Sequence, residues 1–176
     1  ERAKLMSASH SDVHLFWGDH PDRIAAQIKT IRELAGAHGR GEQIGFGMRL
    51  QIVCRETEEE AWAFANQLIE GASDKHKDMI KTMFAASEAN KRMQELSQTE
   101  GQLIIPNLWT GITEVRPGAG VAIVGNPEQC AATLQRFIDV GCHSFCLSGY
   151  LHDDEAERFG ASVLPLVKAN NPGRFT

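Results

Sequence analysis

Apolar residues recur along the chain with two alternating periods. Residues 1–10 carry Ala3, Leu5, Met6 and Ala8, which predicts a short helix with one buried side. Residues 12–17 form a compact β-type run closed by Gly18. Helical spacing returns over 21–37 through Ile24, Ile28, Ile31 and Leu34, with Pro21 suited to the first turn and Gly39 to the stop. A long strand is expected over 44–54. Thr57 then opens a helix with Glu58, Glu59 and Glu60 in its positively polarised first turn. Residues 73–100 break this rhythm: they are polar and helix-prone, with Met79, Ile80, Met83, Phe84, Met93 and Leu96 as sparse apolar positions. Residues 103–120 read as a long irregular connection, of the kind that serves function or is disordered. Together they suggest an insertion over 73–120 within one domain spanning 1–176. The rhythm resumes with an apolar run at 121–125, a helix capped by Asn126 and led by Pro127, a strand at 143–147 and a helix at 153–168.

Strand, helix, strand, helix and a final strand, helix imply an α/β fold with a parallel sheet covered by helices. Three clear strands are too few for a closed (β/α)8 TIM barrel of ~250 residues but suit its C-terminal half. A doubly wound sheet is the alternative, although no G-x-G-x-x-G follows any of these strands. Residues 1–6 read as a helix already under way, without initiator Met or signal-type segment, which suggests the C-terminal part of a longer protein. A self-sufficient chain with a clipped tag is the other reading.

Composition narrows the function classes. With 42% hydrophobic and 23% charged residues over 176 positions, the chain is expected to be globular. No apolar run approaches the ~18 residues of a membrane helix. A net charge of −5 argues against nucleic acid as a partner, because phosphates call for a basic face. The four cysteines form no C-x-x-C pair, which favours free thiols and a cytoplasmic location. Neither His10, His14 and His20 nor Cys142, His143 and Cys146 have convincing metal-ligand spacing, so no metal site is expected.

Candidate chemistry gathers where strands end. In the strand over 44–54, Phe46, Met48, Leu50 and Ile52 share one face, and Gly45, Gly47, Arg49, Gln51 and Val53 share the other. The glycines would leave room lined by Arg49 and Gln51. A guanidinium there needs an anion or a neighbouring carboxylate, and the residues alone leave both open. Trp17, before Gly18, could stack on a planar ring or serve as plain core. The run 148–152 places Gly149, Tyr150 and His152 at a strand's end, where phenol and imidazole can move protons or simply make local hydrogen bonds. Arg116 sits on a Gly- and Pro-rich loop that could close over a site, or lie in solvent. The glycines over 118–125 before a helix give only a weak phosphate-binding signal.

These pieces, in this order, resemble alkanesulfonate monooxygenases of the bacterial-luciferase-like, reduced-flavin-dependent group. The resemblance rests on Phe46-Gly47-Met48-Arg49-Leu50 with Arg55-Glu56-Thr57, Pro106 to Gly111, Val115 to Gly120, Val124-Gly125, Leu147 to His152 and Trp17-Gly18. It implies a TIM-barrel two-component monooxygenase that takes reduced FMN from a separate NAD(P)H-dependent flavin reductase. With O2 the enzyme would cleave the C–S bond of an alkanesulfonate to sulfite and an aldehyde. Arg49, Arg116, Tyr150 and His152 are then the expected catalytic residues. Trp17, Gln51 and Gly149 would be cofactor-binding, 73–120 would be a mobile lid, and a homo-oligomer is expected. Gln51 stands where the family usually has histidine, which admits methanesulfonate or dimethyl sulfone as substrate. The flavin phosphate site is expected upstream of Glu1. Rival readings are a deazaflavin-dependent relative and a non-catalytic barrel fragment acting as a binding partner.

Overall fold

The computed structural model describes residues 2–83, 88–116, 118 and 120–174. Strand β1 (Val13–Trp17), strand β2 (Gly45–Cys54) and strand β6 (Ser144–Ser148) form a parallel sheet, with β1 and β6 on opposite edges of β2. Residues 47–49 of β2 pair with β1 and β6 at once. Gln51 pairs with Ser148 of β6 and also with Ala122 of strand β5 (Ala122–Gly125). Strand β5 therefore lies end to end with β1 along one edge of β2. The joint is tight: a Cβ on Gly18, just after β1, would stand 2.5 Å from the Cβ of Val121. From β5 the sheet continues antiparallel through β4 (Leu108–Trp109) and β3 (Leu103–Ile105). The three long parallel strands thus follow chain order, and β3 to β5 form a small extension at the C-terminal end of β2.

Helix α2 (Pro21–Gly36) and helix α6 (Pro127–Asp139) cover one face of this sheet. Ile24, Ile28 and Ile31 of α2 and Leu134, Phe137 and Ile138 of α6 join Phe46, Met48, Leu50 and Ile52 in the main core. A second cluster packs Val53, Trp109, Ile112 and Val124 against Ala61 and Ala65 of α3 (Glu58–Ile69). Thr57 caps α3, accepting from the Glu60 amide while Glu60 accepts from the Thr57 amide. Asn126 and Gln129 make the same reciprocal pair on α6. The expected insertion contains α4 (Asp74–Met83) and α5 (Glu88–Leu96).

Two expectations need correcting, and a third gains a detail. Helix α1 (Arg2–His10) buries Ser7 and Ala8 and leaves Leu5 and Met6 exposed. The stretch 103–120 is not irregular throughout, because Asn107, with φ of 65°, turns β3 into β4 and its side chain bonds the Val124 carbonyl at 2.9 Å. The final helix is present as expected, running without a break through α7 (His152–Arg158), a π-helical turn over Phe159–Val163 and α8 (Leu164–Asn170). Pro117, Ala119 and Phe84 of the expected lid lie outside the described residues.

Candidate active site

Alternation along β2 separates two chemistries. Its even-numbered side chains enter the core under α2 and α6, so Arg49 and Gln51 project from the opposite face, whose far end at Val53 packs against α3. Register partners in a sheet share a face, which puts Trp17, Arg49 and Cys146 in one row across β1, β2 and β6. The next row holds Gln51 and Ser148. Arg49 is exposed, and no described residue hydrogen-bonds or ion-pairs with its guanidinium. Gln51 is buried. The room expected over Gly45 and Gly47 is taken: a side chain on Gly45 would overlap the His143 ring, and one on Gly47 would meet the Ser144 carbonyl at 2.6 Å and Leu15 at 2.7 Å.

Tyr150 follows β6 and packs against the second core cluster. Arg116 reaches it from the other side, its Nη1 donating to the phenol oxygen at 3.1 Å. The structure therefore joins two residues 34 positions apart in sequence. Arg116 follows a 3-10 turn over Gly111–Glu114, in which Glu114 accepts from Lys77 Nζ at 2.6 Å and from the Gln102 amide. That carboxylate raises the Lys77 ammonium above its ordinary range.

Trp17 is half-buried and lines a cleft of about 370 Å3 with Asp19, Arg92 and Met93. Asp19 accepts from Arg92 twice, at 2.8 and 2.9 Å, and from the His20 amide at 2.7 Å. Burial alone would push this carboxyl up; the Arg92 fork, the His20 amide and Arg23 outweigh it and hold it below the usual range. Arg92 thereby fastens α5 to the end of β1.

Gly149 and His152 are placed differently. Both line a cleft of about 440 Å3 between the core-side face of β6 and helices α6, α7 and α8, with Phe145, Leu147, Phe159 and Val167. Neither Arg49 nor Tyr150 lines it. So the structure aligns Trp17 with Arg49, sets Gln51 one row on, and joins Tyr150 to Arg116, while His152 turns to the helix side. Among the described residues no group of three or more His, Cys, Asp or Glu could hold a metal, and no helix is long and apolar enough to cross a membrane.

Sequence reasoning missed Asp19, Arg92, Cys146, Arg55 and Glu155. Cys146 was legible from alternation, two residues before Ser148 on the same face. Glu155 looks like the last member of a solvated acidic run, 153–155, yet is buried against Arg55 with N–O of 2.6 Å. Nothing local in the sequence marks that.

For a reduced flavin the Arg49 face fits in part. An indole in register with a guanidinium that no described residue pairs suits a flat, electron-rich ring system, and the Arg116–Tyr150 pair supplies polar contacts nearby. No phosphate cradle is formed by these residues.

Comparison with known proteins completes this picture. The chain superposes on DmoA from Hyphomicrobium sulfonivorans with a TM-score of 0.75, covering 100% of this chain and 41% of that one at 19% identity. Riboflavin lyase (RcaE), solved with modified FMN and riboflavin, gives 0.72 over 100% and 42% at 20% identity. An F420-dependent secondary alcohol dehydrogenase gives 0.58 over 94% and 46% at 13% identity. At these identities the likeness is one of fold, and the chain spans less than half the length of each of these proteins. The family profile described as luciferase-like monooxygenase matches residues 1–144. The chain belongs to the luciferase-like monooxygenase family.

Proposed function

We propose that this chain carries the substrate-side face of a two-component monooxygenase that uses reduced FMN and O2 on an organosulfonate. The observation that supports it best is the Arg49 guanidinium, which no described carboxylate neutralises. A cation left unpaired beside an indole is suited to an anionic partner, and a sulfonate offers three oxygens to its fork of donors. Arg116 and Tyr150 would complete the anion site from the strand's far end, with the phenol as proton donor. Reduced FMN, when bound, supplies the two electrons that activate O2. One oxygen atom ends on the carbon next to sulfur and the other in water. The C–S bond then breaks, giving an aldehyde and sulfite. A separate flavin reductase, a homo-oligomer and a cytoplasmic setting complete the proposal.

The uncharged Gln51 keeps methanesulfonate and dimethyl sulfone within this reading. The solved F420-dependent relative also makes a deazaflavin the rival cofactor. Full-length protein with a flavin reductase, O2 and a panel of short sulfonates decides between them. Sulfite release that falls at least a hundredfold in Arg49→Ala is the expected result. No sulfite from any sulfonate defeats the desulfonation claim. Turnover of neutral dimethyl sulfone that Arg49→Ala leaves intact would move the substrate class. A non-catalytic role requires that Arg49→Ala and Tyr150→Phe leave every measured function unchanged.

A further inference from the structure

Glu155 is the most deeply buried carboxylate among the described residues, at 3% exposure, while Asp153 and Asp154 beside it face solvent. A charge in so dry a place is costly unless it is paired. Its Oε1 accepts from Arg55 Nη1 at 2.6 Å, with Arg158 Nε at 3.8 Å. Arg55 is held from three further directions. Its Nη1 also donates to the Cys54 carbonyl at 2.6 Å, and its backbone N–H donates to the Gly125 carbonyl at 3.2 Å. Its guanidinium carbon lies 3.8 Å from the centre of the Phe64 ring on α3.

On its other side Glu155 contacts both neighbours of Tyr150. Its Cβ and Cγ press so closely on Gly149 that any side chain there would overlap them. Its N–H donates to the Leu151 carbonyl at 3.1 Å. A pair separated by 100 positions in sequence thereby ties the turn after β6 to the end of β2, the strand that carries Arg49 and Gln51. Buried ion pairs seldom exceed a well-packed apolar pair in stability; what they impose is geometry.

We propose that Arg55 and Glu155 are positioning residues that hold the Gly149–Leu151 turn, and with it the Tyr150 phenol, at a fixed place relative to Arg49. The proposal rests on the reading of Tyr150 as a proton donor given above, and its test separates the two. Full-length protein labelled with 13C at the tyrosine ζ carbon shows a Tyr150 resonance, assigned by its loss in Tyr150→Phe. Two variants disturb the clamp differently. Glu155→Gln keeps the shape and removes the charge. Phe64→Leu removes the ring under the guanidinium and keeps both charges, so it carries the test if Glu155→Gln fails to fold. The expected result is a broadened or split Tyr150 resonance and a roughly tenfold lower kcat, with reduced-flavin Kd unchanged. In a Tyr150→Phe background Glu155→Gln should lower kcat no further. A sharp, unshifted resonance in the folded variants overturns the proposal, as does an equal loss of kcat with and without the phenol. A broadened resonance with unchanged kcat upholds the positioning role and removes Tyr150 from the reaction, which defeats the functional reading alone.

Discussion

Arg49 and Arg55 stand six positions apart and have opposite fates. Arg55 is enclosed by Glu155, Phe64 and a carbonyl, whereas Arg49 is exposed and no described residue hydrogen-bonds or ion-pairs with its guanidinium. Arg116 is intermediate, half-buried with one donor on Tyr150. Because its partner is the phenol and not the face around Trp17, Arg116→Ala should cut substrate-dependent turnover about ten- to a hundredfold. Reduced-flavin affinity should change far less, and stopped-flow titration that finds equal losses would contradict this. The cysteines offer a second check at this scale. Cys146 is exposed on the Arg49 row, while Cys54, Cys130 and Cys142 are buried, with burial pushing the Cys142 thiol up to about 12. Cys146 should react quickly with a disulfide reagent under native conditions, and Cys54, Cys130 and Cys142 only after denaturation; Cys146→Ser should remove one thiol from the fast phase. The facing of Arg49 was legible from alternation alone. That no described carboxylate reaches it was not, since this depends on what the neighbouring strands bring.

Helix α5 meets the rest of the chain through two core side chains and a charge. It is polar on most of its surface, buries Asn90, Met93 and Leu96, and holds Asp19 with the Arg92 fork. Removing Arg92 strands a buried carboxylate, so Arg92→Ala should cost about 2–4 kcal/mol, the lower bound reflecting the water that still reaches the guanidinium. Urea unfolding measures this, and faster tryptic cutting at Lys91 in Asp19→Asn would show which element detaches. The pH dependence follows from the depressed Asp19 carboxyl. Its contribution is complete above the ordinary carboxylate value and is lost as pH falls through the lower folded value. Tryptophan emission should therefore change on acidification in the wild type and lose that step in Asp19→Asn. The helical character of 73–100 could be read from composition. The docking point could not, because Asp19 lies 73 positions from its partner in a segment that resembles ordinary loop chemistry.

Across the whole molecule, the strand–helix alternation was enough to place the sheet, its covering helices and the core-facing side chains of β2. It could not show that β5 continues the edge occupied by β1, since a short apolar run looks the same in either role. The core is shared between α2, α6 and β2, so Phe137→Ala, which empties a fully buried site, should cost about 3–5 kcal/mol in thermal or urea unfolding. Strand β2 has neighbours along both margins over residues 47–49 and again at Gln51. Its amide protons are thus expected to exchange with solvent only through global opening. Were a molecule held against Arg49 as proposed, the strand beneath it could not yield separately from the whole fold, and the motion that admits or releases it would fall to other segments.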